Sequence, residues 1–251
     1  MARPRPTART RRSPYELTAG SSLDDLHPAL RTYFAGLPAG SRGYGSGVFE
    51  VVGTPRRWLW PALHLLAGQG MLFPVWEKNV PFTVVNAPII DRAGKTAVVA
   101  VRRFHFLGGA RTMIDAITAE STDRDGLVDH LGFPRRFRVR LASRVVRGEF
   151  HLRSTAFEIR IGRHHLRVPG ILAPRVSLIE RFDDHARLPG TPDGASGAQR
   201  VTVIVEAPLL GRLYEYTGAF RYEVRAEPSS AERSGAVPAE SSSTAARKAT
   251  G

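Results

Sequence analysis

The sequence contains no cysteine, which removes disulfide staples, thiol catalysis and Cys-ligated zinc at once. A chain of 251 residues can bury enough apolar surface to need neither a bridge nor a metal. Lysine is nearly as scarce, at Lys78, Lys95 and Lys248 alone, so arginine carries the formal net charge of +13. No apolar run reaches the ~18 residues of a membrane span. The most apolar stretch, Trp58 to Phe73, is interrupted by Pro61, Gly68 and Gly70 and reads as a buried helix. "MARPRPTARTRRSP" starts like an export signal, with Arg11 and Arg12, but no apolar segment follows. The expectation is a soluble, cytoplasmic protein without a membrane span. His-Glu-x-x-His and Gly-x-Ser-x-Gly are also missing, which weakens hydrolase readings.

Where the charge sits decides what it means. Arg3, Arg5, Arg9, Arg11 and Arg12 belong to a Pro-rich start, and many others alternate with apolar residues, as in "RRFRVRL" and "EIRIGRHHLRV". Alternation of that kind describes the solvated face of a sheet, so neither a specific nucleic-acid partner nor binding to an anionic membrane is expected. Residues 1–20 and 226–251 are too poor in apolar side chains to offset their ordering entropy and read as disordered tails. They frame one domain over 21–225.

Within that domain two helices come first. Ser22 with Asp25 marks one start, and Pro28 offers a later one; Thr54 followed by Pro55 marks the second helix. The rest alternates as strands with short turns, among them "DRAG" at Asp91–Gly94. About nine or ten such strands predict an α+β fold with a large curved, mostly antiparallel, barrel-like sheet and two N-terminal helices packed on or into it. "APLLGRLYEYTGAF" (Ala207 to Phe220) reads as a long crossing between strands, with Leu209, Leu210 and Leu213 folded back as a lid.

The chemistry-bearing residues are sparse. Gly43, Gly45 and Gly47 lack the spacing of a dinucleotide fingerprint and precede a strand, so bulges or a tight entry turn are expected. Asp123, Asp125, Asp129 and His130 lack the ligand pattern of a calcium loop; His164 and His165 are adjacent and face opposite ways on a strand. No metal or cofactor is expected. Phe82, Phe104, Phe106, Met113, Phe150 and Phe157 would line the inside of a curved sheet wide enough to hold one small apolar ligand; the alternative is a packed core sealed by the helices. Phe82, Phe104, Phe106 and Met113, with Arg103, Asp129 and Tyr216 as orienting polar groups, form the candidate ligand site. A catalytic alternative requires two of Asp129, His105, Glu180, Glu206 and Tyr216 to converge, and a third reading uses the arginine-rich face for association.

Taken in order, "LHPALRTYF", "GSGVFEVVG", "VPFTV", "RRF", "GLVDHLG", "RGEFHLRS" and "PLLGRLYEYTGAF" resemble the bacterial domain-of-unknown-function family DUF4166. The resemblance implies work on a small molecule beside a separate oxidoreductase, since family members also occur behind a saccharopine-dehydrogenase-like domain. It carries no catalytic residues over.

Overall fold

The computed structural model describes residues 11–91, 94–188 and 196–227. The tails expected to be disordered therefore lie outside the described residues over 1–10 and 228–251, as does the centre of the turn at Asp91–Gly94. Eleven strands follow one another antiparallel: β1 (Ser41–Gly53), β2 (Trp76–Ile90), β3 (Thr96–Phe106), β4 (Gly109–Ala119), β5 (Leu127–Leu131), β6 (Phe137–Val146), β7 (Glu149–Ile161), β8 (His164–Arg167), β9 (Arg175–Asp183), β10 (Ala198–Ala207) and β11 (Gly211–Ala226). Ten of them close into an up-and-down barrel through the pairing of β11 with β1, and β8 is an extra strand that only lengthens the hairpin from β7. Closure leaves the barrel strands without an open edge.

Each end of the barrel has its own set of connections. One end carries the segments 54–75, 107–108, 132–136, 162–174 and 208–210. The opposite end carries the chain before β1, with helices α1 (Pro14–Ala19) and α2 (Pro28–Phe34), while α3 (Trp60–Ala67) belongs to the first end.

Helix α1 begins within the stretch assigned to the basic tail. Its signature is a complete capping box: the Ser13 N–H donates to Glu16 Oε2 at 2.7 Å and the Glu16 N–H to Ser13 Oγ at 3.1 Å, with Pro14 in the first turn. Ser13 Oγ also donates to the Phe34 carbonyl, and Glu16 Oε2 accepts the Gly36 N–H at 2.8 Å, so α1 is tied to the end of α2. The earlier of the two starts expected for the first helix, at Ser22, falls in a 3₁₀ segment over 20–25, and α2 takes the later start at Pro28. The second helix starts late as well: Thr54 Oγ1 accepts the Arg56 N–H at 3.2 Å, but α3 begins only at Trp60. "EFHLRST" and "AFEIRIG" join as the single long β7.

Two apolar clusters fill parts of the interior. Helix α2 and the segment leading into it push Leu26, Leu30 and Phe34 against Leu127, Leu141, Phe150 and Leu152, with the Phe34 and Phe150 rings 4.1 Å apart. On the opposite wall Phe49 stacks on Phe82 at 3.9 Å and Phe73, Phe104 and Phe106 join them. The glycines of β1 permit this wall. Gly47 lies between Phe82 and Phe220 in register, and a Cβ there would run into the Ala219 carbonyl oxygen and the Phe220 backbone. They serve close approach rather than a turn, and β1 is shifted in register only further on, between Phe49 and Val51.

Gly47→Ala is therefore expected to destabilise the fold by about 1–3 kcal/mol, the range for overpacking. Urea unfolding would register this as a lower midpoint at unchanged slope.

Candidate ligand-binding site

Between the helical plug and the aromatic wall the barrel keeps a cavity of about 450 Å³, within the usual range for a small-molecule site. Apolar side chains from seven of the eleven strands, β4 to β7 and β9 to β11, line it, among them Met113, Ile117, Leu141, Leu152, Leu178 and Val203, and Leu59, Leu63 and Leu66 add the α3 segment. Tyr15 and Tyr33 reach the same space from the opposite helices. Leu213 also lines it, but as a residue of β11. The expected lid does not form, because Leu210 N–H donates to the Ala207 carbonyl and Ala207 pairs with Gly211, a tight turn closed by a positive φ at Gly211. Leu209 and Leu210 stand exposed at its tip.

One polar cluster interrupts the apolar lining. Arg102 on β3 and Asp115 on β4 form a largely buried ion pair, with Asp129, Glu180, Tyr15, Tyr33 and Tyr216 facing the same cavity. Burial lowers the proton affinity of Arg102, but Asp115 and then the tyrosines more than offset it, so the guanidinium stays charged. Asp129 behaves in the opposite way: burial, then the charge of Asp115, raises its carboxyl well above the usual range against the weaker pull of Arg102. Its Oδ1 is buried without a hydrogen-bond partner. Burial likewise pushes Glu180 up to about 7, although Gln199 donates a hydrogen bond to it. The three tyrosine hydroxyls are raised by burial and remain neutral. The cluster thus holds one committed cation and three carboxyls, two of which, Asp129 and Glu180, are pushed toward their neutral form.

Of the residues singled out from sequence, Asp129, Tyr216 and Met113 line the cavity. Phe82, Phe104 and Phe106 are buried in the adjacent aromatic wall rather than in the lining. Arg103 is exposed on the outer face of β3 and does not reach the cavity; its neighbour Arg102 does. Strand alternation contains this result, since Phe104 and Phe106 face inward and Arg102 shares their parity. The same step of two leads from Met113 to Asp115. Tyr15 was hidden by the composition of the tail. His105 and Glu206 are exposed, His164 and His165 lie on the exposed β8, and among the described residues no group of acidic or histidine side chains is placed to hold a metal ion. No helix among the described residues is long and apolar enough to cross a membrane.

Residues 26–220 match the family model described as Domain of unknown function (DUF4166). Neither the curated proteins nor the solved structures contain a significant match.

The cluster makes stability depend on pH. Folded Glu180 holds its proton more tightly than an unfolded glutamate near 4.5, so its contribution is complete below about pH 4.5 and is lost as pH rises through about 7. Unfolding midpoints measured across that window should fall for the native chain. Glu180→Gln should remove a decline on the order of 3 kcal/mol, and the part due to Asp129, which has the same sign, should persist.

Proposed function

We propose that this chain, which belongs to the DUF4166 family, binds a small apolar molecule inside its barrel, with an uncharged polar end of the ligand seated at the Arg102 cluster. The observation that carries the reading is the pairing of a largely apolar cavity with a single polar cluster containing an unpartnered buried oxygen, Asp129 Oδ1. An apolar pocket with a few convergent polar groups is the usual form of a small-molecule site. An alcohol or ketone oxygen fits the cluster, since the tyrosine hydroxyls and the protonated Asp129 carboxyl can donate to it. A carboxylate would meet three carboxyls and a guanidinium already neutralised by Asp115, which disfavours a second negative charge there.

Catalysis is the second reading, favoured by the convergence of Asp129, Glu180 and Tyr216 on one cavity with raised carboxyls. Among the described residues, however, no hydrogen bond joins any two of the three, as an acid–base relay would use. Binding therefore takes precedence.

Organic extraction of the purified protein followed by mass spectrometry should recover a small apolar compound whose polar group is uncharged. Recovery of a carboxylic acid would refute the proposed polar end, and a chain that neither releases nor takes up any apolar compound would refute the binding reading. Tyr216→Phe should weaken uptake roughly 3- to 10-fold, the worth of one hydrogen bond, without lowering the unfolding midpoint.

A further inference from the structure

The two ends of the barrel differ in chemistry, and the difference is independent of what the cavity holds. The five connections at the α3 end, 54–75, 107–108, 132–136, 162–174 and 208–210, contain no aspartate or glutamate. They do contain Arg56, Arg57, Arg135, Arg136, Arg163 and Arg167, none of which enters an ion pair among the described residues. The opposite end mixes signs, with Asp24, Asp25, Asp91, Glu120, Asp123 and Asp125 beside its arginines. Paired arginines elsewhere make the contrast sharper: Arg138 and Arg140 on β6 share Glu120 and Glu158, whereas the six loop arginines of the α3 end make no ion pair among the described residues, with Glu77, Glu206 and the Arg212-paired Glu215 on the adjoining strand ends.

The same end collects the exposed apolar side chains. Trp58, Leu107, Phe133, Ile171, Leu172 and Leu209 all stand out there, Leu107 at 95%, Phe133 at 76% and Leu209 at 75% of full exposure. Among the described residues only Ile90, Val101 and Val146 of the large exposed apolar side chains lie away from it. Singly placed exposed apolar residues are ordinary, but a cluster on the tips of separate loops marks an interaction surface. Leu172 is 65% exposed and also lines the cavity, so this rim is continuous with the barrel interior.

We propose that the α3 end of the barrel docks on an anionic lipid bilayer, with the loop tips entering the headgroup boundary and the arginines facing lipid phosphates. Apolar tips give insertion energy and interleaved cations give attraction to anionic lipid, the two contributions that hold peripheral proteins at an interface. A polynucleotide fits the surface less well, because its phosphates would use the arginines and leave the aliphatic tips in water. The rim then places the cavity beside the phase in which an apolar ligand is soluble.

Cosedimentation with phosphatidylcholine vesicles, with and without phosphatidylglycerol, tests the assignment on the full chain. Binding should require the anionic lipid, and Phe133→Ser combined with Leu209→Ser should reduce it roughly 10-fold while leaving the unfolding midpoint unchanged. Arg136→Glu with Arg163→Glu should reduce it as much, whereas Arg144→Glu with Arg147→Glu, which reverses as many charges at the opposite end, should have little effect. Failure to bind anionic vesicles would overturn the proposal. So would equal losses from charge reversal at both ends, or rim variants that lose binding to a polynucleotide but not to vesicles.

Discussion

Closure of the sheet through β1 and β11 is the constraint on which the rest depends. Side chains suffice to fill a barrel of about eight strands, and a wider one leaves interior space. With ten strands joined in one ring, this chain has more interior than its strands can fill. Helices α1 and α2 take up one end and the Phe49, Phe82 and Phe104 stack takes up one wall, and the remainder is the cavity. The glycines of β1 and Gly218 of β11 let the two closing strands cross beneath large rings that a Cβ would strike.

A buried polar cluster inside such a cavity is costly unless its members satisfy one another. Here satisfaction is partial. Arg102 is neutralised by Asp115 and Glu180 is held by Gln199, but Asp129 retains an unpartnered oxygen and escapes the cost of a buried charge by favouring protonation. An unsatisfied buried group of this kind calls for an explanation beyond stability. A ligand oxygen received at that point supplies one.

Much of the fold was legible because the strands alternate cleanly: β3 coincides with "TAVVAVRRFHF" and β6 contains "FRVRLASRV". The antiparallel, barrel-like sheet followed from strand number and short turns. Errors arose where a local signal competed with composition. "SPYE" carries a full capping box, but its arginine- and proline-rich surroundings masked it, and with it Tyr15. Similarly, the leucines of "APLLGRL" suggested a lid, yet the positive φ available to Gly211 allows a tight turn and sends the chain straight into β11. The site itself was half legible. Asp129 and Tyr216 could be chosen as polar residues on strands, while Arg102 and Asp115 required strict parity from Phe104 and Met113, a step that a slip of one residue reverses. Pairing between distant helices and strands, which brings Tyr15 and Tyr33 beside Glu180, has no sequence signature.

The proposed binding rests on interior space that the barrel leaves open rather than on a catalytic motif, and the chemistry of each end follows from which loops the up-and-down order gathers there. The most direct test of the interior site is a titration of the delipidated protein with an uncharged, environment-sensitive apolar fluorophore, alongside Leu178→Trp, which places an indole in the cavity. A ligand-binding interior predicts saturation at a single site per chain, abolished by the substitution with the fold retained. Absence of saturable binding, or binding indifferent to Leu178→Trp, would contradict it.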